Sequence, residues 1–132
     1  MFLDANVFIY AFDTRKGKMT RQSARFLERV MAGEQHATTS PLVINEVLFY
    51  FHTNVGLEAA EDIYHNILSM QGIYILPVDI RVLRGVMDFV KQGLLVTDAF
   101  HAATMAANGI STLCSFDRDF DKIKGISRQE PK

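Results

Sequence analysis

Four carboxylates stand where a reaction could use them: Asp4 in "FLDAN", Glu46 in "INEVL", Asp98 in "VTDAF" and Asp117 in "SFDRDF". Three of them also have ordinary structural explanations. Asp4 could close an Asx-turn with Asn6, Asp98 could sit at the positive end of a helix dipole behind a Thr97 cap, and Asp117 could cap a short helix at "DRDF". A placement of that kind contributes about 0.3–1 kcal/mol and asks for no function. Glu46 escapes this explanation, because it lies inside an apolar helical stretch among Ile44, Val47, Leu48 and Phe49. A shared acidic cluster accounts for all four together. Crowded carboxylates repel and their pKa values rise, unless a cation offsets the charge. Oxygen-only ligation suits Mg2+ or Mn2+. Asp119 is an auxiliary candidate ligand, whereas Asp121 is expected to face water.

A cluster drawn from positions so far apart needs elements that bring them together. "MFLD" suits a buried strand, and "ANVFIYAF" fits either its continuation or a short helix after a turn at Asn6. "TRKGKMT" reads as a loop. "RQSARFLERVMAG" sets Ala24, Leu27, Val30 and Met31 on one helical face and stops at Gly33. After a short strand in "HATTS", Ser40 caps a helix with Pro41 in its first position and Gly56 as terminator. "LEAAEDIYHNILSMQG" is amphipathic, with Leu57, Ala60, Ile63, Tyr64, Ile67 and Leu68 along one stripe. "IYILPV" is a strand, "DIRVLRGVMDFVKQG" a helix opened by Asp79, and the Ala- and Met-rich "DAFHAATMAANG" another helix. "STLCSF" is a strand, followed by the polar turn "DRDFDKIKG" and a short final strand. Alternation of this kind predicts an α/β fold with a short, mainly parallel sheet flanked by helices, and one domain over residues 1–132. Reacting groups collect at the carboxyl ends of strands in an open parallel sheet, which is where Asp4 and Asp117 fall.

"FLDANVFIY", "INEVL", "VTDAFHAATM" and "CSFDRDF", in this order along nearly the whole chain, resemble the PIN domain, and within it the small VapC-type toxin ribonucleases. The resemblance implies a three-layer PIN-like fold and matches Asp4, Glu46, Asp98 and Asp117 to the family's acidic quartet. Asn6 matches its small polar position after the first Asp, and Ser115 its hydroxyl position two before the last acid. The activity implied is endonucleolytic hydrolysis of RNA by water activated on one or two Mg2+ or Mn2+ ions, leaving a 5′-phosphate and a 3′-hydroxyl. Asp4 is expected as principal or bridging ligand, Asp98 and Glu46 as further ligands, and Asp117 at a second ion or its waters. Asn6 and Ser115 would orient these groups by hydrogen bonds. A small antitoxin and a homodimer are implied as partners. A PIN-domain RNA-processing nuclease that is not a toxin, and a regulatory protein acting through its partner with little turnover, stand as alternatives.

The 132 residues carry 14 basic and 15 acidic side chains, which argues against a uniformly basic nucleic-acid coat. The distribution is uneven: positions 30 to 80 hold no Lys or Arg, and basic residues concentrate in 15 to 29. Arg15, Lys16, Lys18 and Arg21, in the loop that leaves the first strand region, are the candidate contacts to RNA phosphates. Four histidines without i, i+4 pairing make a zinc site improbable, and His101 is read as a packed or surface residue. The lone Cys114 reads as a buried strand thiol, which with no visible signal peptide or membrane span suggests the cytoplasm. Receiver-domain and haloacid-dehalogenase-type readings fail on a missing late Lys and on Asn6 where a second Asp is needed. Finally, Leu48, Phe49, Tyr50 and Phe51 are consecutive on one helix, more apolar directions than one core face absorbs. They are the predicted partner interface.

Overall fold

The computed structural model describes residues 1–132. The chain alternates as expected: β1 (Phe2–Leu3), α1 (Ala5–Phe12), α2 (Lys18–Met31), β2 (Ala37–Thr39), α3 (Pro41–Asn54), α4 (Leu57–Ser69), β3 (Ile73–Ile75), α5 (Ile80–Lys91), α6 (Val96–Ala107), β4 (Thr112–Cys114) and β5 (Ser127–Gln129). Two 3-10 turns connect elements, Thr14–Lys16 between α1 and α2 and Arg118–Lys122 between β4 and β5. The five strands form one sheet in the order β3-β2-β1-β4-β5, and every pairing is parallel. Phe2 sits opposite Thr38 on one side and Leu113 on the other. Phe2, Leu3, Leu113 and Cys114 are fully buried, as strands covered by helices on both faces require. From β1 the chain winds outward through β2 and β3, then crosses back to lay β4 and β5 on the opposite side. That reversal of strand order opens a crevice at the carboxyl ends of β1 and β4.

"ANVFIYAF" is a helix and not more strand. Asp4 takes an extended conformation at the N-cap and its Oδ1 accepts from Ala5 N at 2.7 Å, which ends the strand after two residues. Val7 and Phe8 are then buried against the sheet, so packing overrides the strand preference of the β-branched residues. Ser40 caps α3 as the sequence suggests, accepting from Val43 N at 3.4 Å, with Pro41 following. Asp79 likewise caps α5.

Several faces are phased differently from expectation. On α2 the buried residues are Ser23, Phe26, Leu27 and Val30, while Met31 is exposed. Burial of the bulky Phe26 rotates the helix away from the Ala24 side. On α4 only Ala60, Ile63 and Ile67 reach the core, and Leu57, Tyr64 and Leu68 face out. Helix α6 begins at Val96 with Leu95 at its N-cap, so Thr97 is inside the helix and provides no cap. The four-residue interface on α3 also needs correction. Phe51 is core, at 3 % exposure, and Leu48 and Tyr50 are half-buried against it. Phe49 alone lies open, at 70 %. Contacts with α1, α4 and α6 let α3 bury more of its circumference than an ordinary surface helix. No helix is long and apolar enough to cross a membrane.

Candidate active site

Asp4 is at the bottom of the crevice, 5 % exposed, in the residue immediately after β1. Its neighbours hold both carboxylate oxygens. Oδ1 accepts from Ala5 N, and Oδ2 accepts from Asn6 Nδ2 at 2.7 Å and from Ser115 Oγ at 2.5 Å. Asn6 Nδ2 also donates to Ser115 Oγ at 3.0 Å, and Asn6 Oδ1 accepts from Phe116 N at 3.2 Å. Asn6 and Ser115 thereby lace the end of β1 to the end of β4. All these donors are neutral, so the charge of Asp4 has no formal counter-charge among them. Burial pushes its pKa up, against the pull of His101 and of the Ser115 and Ala5 hydrogen bonds, and Glu46 adds to the rise.

Helix α3 touches both α1 and α6, which brings Glu46 and Asp98 to the same crevice. Glu46 Oε1 pairs with His101 Nε2 at 2.6 Å. His101 is completely buried on α6, one turn after Asp98, and its Nδ1 has no partner. Burial by itself lowers a histidine pKa. Here the bond to Glu46 and the charges of Asp4, Glu46 and Asp98 outweigh it, and the pKa rises. The sequence favours a packed or surface His101, with a place in the pocket beside Asp98 as the alternative. Its place three residues after Asp98 was the available signal, but a partner 55 positions away on another helix was not readable.

The half-buried Asp98 is pushed up to about 6, first by burial and then by the charges of Asp4, Asp117 and Glu46, with His101 opposing. Asp98 therefore feels the charges of the other three acids. Asp117 N donates to Ser115 Oγ at 2.9 Å, while its Oδ1 caps the following 3-10 turn by accepting from Asp119 N at 2.8 Å. The capping explanation and membership of the cluster are thus compatible for this residue. Asp119 does not join: it is exposed and lies 3.4 Å from Lys122 Nζ. Asp121 also turns away, held by Arg128 Nε at 2.7 Å. Arg128 Nη1 donates to Ser115 O at 2.8 Å, so β5 fastens the loop that carries Ser115 and Asp117.

Among the basic candidates, Arg15 is committed to Asp13 through Nε at 2.8 Å and Nη2 at 3.0 Å. Lys16 lies between the rings of Tyr10 and Tyr50. Lys18 and Arg21 are exposed on the first turn of α2. Cys114 is buried, and that burial pushes its thiol up to about 12, so it is no nucleophile.

A divalent cation fits this donor set in kind. The cluster offers oxygen acceptors, no thiolate, and an excess of negative charge that a cation would relieve. As the side chains stand, no three carboxylates or imidazoles converge on one metal-sized point. Hydrogen bonds tether Asp4 and Glu46 Oε1, whereas Glu46 Oε2 and Asp98 can turn inward by rotation about side-chain bonds.

A parallel sheet in this order, with an acidic crevice at its reversal point, is the arrangement of the PIN domain. The PIN-domain family model matches residues 1–126, and the chain belongs to that family. Ribonuclease VapC13 of Mycobacterium tuberculosis is 29 % identical over 133 residues, a match covering 97 % of this chain and 98 % of that one. Among solved structures, Mycobacterium tuberculosis VapC20, described as a sarcin-ricin loop cleaving toxin, superposes with a TM-score of 0.69 at 20 % identity, over 91 % of this chain and 92 % of that one. VapBC2 from Rickettsia felis, bound to a DNA fragment of its promoter, gives 0.70 at 15 % identity, over 98 % and 96 %.

Proposed function

We propose that this protein is the toxin of a toxin–antitoxin pair, a PIN-domain endoribonuclease that hydrolyses RNA phosphodiester bonds with Mg2+ or Mn2+. The convergence of Asp4, Glu46, Asp98 and Asp117 on one crevice carries the reading, and kinship with proteins named as VapC ribonucleases supports it. Residues 1–132 act as one nuclease domain, and action on RNA puts it in the cytoplasm.

Asp4, Glu46, Asp98 and Asp117 hold the cation. When bound, it supplies Lewis-acid activation of an attacking water and neutralises charge on the phosphoryl oxygens. Asn6 and Ser115 fix the orientation of Asp4, because their donors take Oδ2 and, with Ala5 N on Oδ1, leave one lone pair of Oδ1 for a cation. His101 holds Oε1 of Glu46 and leaves Oε2 without a hydrogen-bond partner, available to a cation. Asp98 makes no capping bond, so its carboxylate is free to turn to the cation.

Two exposed apolar faces support an assembly with a small antitoxin and a second copy of the chain. One joins Phe49 of α3 to Leu57, Tyr64 and Leu68 of α4 and includes a groove of about 360 Å3; the other is the stripe Ile80, Leu83 and Met87 of α5. Leu48 contributes to the first face, whereas Phe51 belongs to the interior and the half-buried Tyr50 turns toward Asp13.

Cleavage of end-labelled single-stranded and structured RNAs, with Mg2+, Mn2+ or chelator, tests the reading on the parent and Asp98→Asn. The expected result is cutting by the parent with metal only, lost in the variant. Equal cutting by both proteins, or none by the parent under any condition, overturns it.

A further inference from the structure

Directly beyond the acidic crevice stands a group of side chains that neither the core nor the cluster requires. Tyr10 follows Asn6 by one turn of α1, and Tyr50 follows Glu46 by one turn of α3. On both helices the step between the two positions is four residues, about 6 Å along the axis. Phe116 lies between Ser115 and Asp117, and its ring meets that of Tyr10 with centroids 5.1 Å apart at 54°. Lys16 Nζ lies 5.9 Å from the centroids of both Tyr10 and Tyr50. All three rings are half-buried, which leaves part of each open to solvent.

The group is held in place from two directions. Phe116 N donates to Asn6 Oδ1, so the same side chain that fixes Asp4 also fixes the start of this shelf. On the far side, the buried Asp13 accepts from Tyr50 Oη at 2.7 Å and from Arg15 Nη2 at 3.0 Å through Oδ2, while Thr20 Oγ1 donates to Asp13 O at 2.7 Å. Asp13 thus ties the turn that carries Lys16 to α2 and α3. A cation framed by aromatic faces offers what a single-stranded nucleic acid needs at each nucleotide: a positive charge for the phosphate and a π-face for the base. In a duplex the base faces are already covered, so such a shelf selects unpaired nucleotides.

We propose that Tyr10, Phe116, Tyr50 and Lys16 form the subsite for the nucleotide adjacent to the scissile phosphate, stacking its unpaired base and contacting its phosphate. The inference rests on the ribonuclease reading above. It makes the enzyme specific for single-stranded or looped RNA, with the base next to the cut splayed onto Tyr10 and Phe116.

The test uses the full chain with Asp98→Asn as a non-cleaving background. Binding of short single-stranded RNAs containing 2-aminopurine is followed by fluorescence, alongside a duplex of the same sequence. Tyr10→Leu and Phe116→Leu are each expected to weaken single-strand binding roughly tenfold and to abolish the 2-aminopurine change. Tyr10→Phe and Phe116→Tyr should keep both. Lys16→Gln should flatten the salt dependence of single-strand binding, by about 0.7 in log–log slope. Leu variants that bind single strands as the background does, with the 2-aminopurine signal intact, overturn the shelf. Equal loss on single strand and duplex overturns it too, and the conservative ring exchanges separate that result from misfolding. If the parent with intact Asp98 cuts RNA while these outcomes hold, the shelf alone falls; if the parent neither binds nor cuts RNA, the ribonuclease reading falls and takes the shelf with it.

Discussion

Asp4 and Asp13 begin alike. Each is buried, at 5 % and 4 % exposure, each caps a helical element, and each accepts a backbone N–H from one of the next two residues. Their charges end in opposite conditions. The side-chain hydrogen bonds from Arg15 hold Asp13 well below the usual carboxylate range, outweighing its burial, with the Tyr50 hydroxyl adding to the effect. Burial drives Asp4 upward, because its side-chain partners are the neutral donors Asn6 and Ser115. At one end of α1 the aspartate is bonded to an arginine, and at the other only His101 pulls on the charge, without a hydrogen bond to it. A fold that can bond an arginine to a buried aspartate at one site, and does not at the other, keeps that charge for something arriving from outside.

The largest effect expected from disturbing this contrast is on catalysis. Asp4→Asn should lower metal-dependent RNA cleavage by more than about a hundredfold, the upper end for losing a residue that only orients a ligand. The same variant should melt close to the parent in chelator, because removing the desolvated charge offsets the hydrogen bonds an amide weakens. A clear drop in its melting temperature would show that Asp4 is structural in the way Asp13 is. Asp13→Asn should do the reverse, losing about 1–3 kcal/mol of stability in urea denaturation with the charge-assisted bonds from Arg15 and Tyr50.

The smallest effect is one of pH. Asp98 folds with a pKa near 6, above its ordinary 3.8, so the native state holds more protons between those values. Metal-free protein should therefore gain stability as pH falls from above 6 toward 4, by about 1–2 kcal/mol for a half-buried group. Asp13, with a lowered pKa, contributes stability above 3.8 that is lost as the pH falls further. Melting temperatures in chelator should pass through a maximum between these two windows. Added Mg2+ should flatten the limb above it, and a flat profile in chelator would mean that Asp98 is not crowded by its neighbours.

The contrast was partly written in the sequence. Asp4 and Asp117 fall at strand ends because apolar runs of three to five residues separated by helices leave few alternatives to a parallel sheet. Asn6 and Ser115 were reached through the resemblance to the PIN domain, whose small polar and hydroxyl positions they match. What stayed hidden was set by packing between helices. Nothing local says that α3 is embraced by α1, α4 and α6, so Phe51 looked like surface when it is core. For the same reason Glu46 and His101 gave no sign of meeting. The Thr97 cap failed because a helix can begin on Val96 when its buried face holds it, without a side chain to close its end. Arg15 looked like a free cation in a polar loop, since the burial of Asp13 that claims it depends on Tyr50, 37 positions away.

Asp4 is bound to Ser115 across 111 positions of the chain, and the sheet strand that presents Ser115 is the fourth to be made. However early Asp4, Glu46 and Asp98 leave the ribosome, the bond that orients Asp4 therefore waits until β4 has been made.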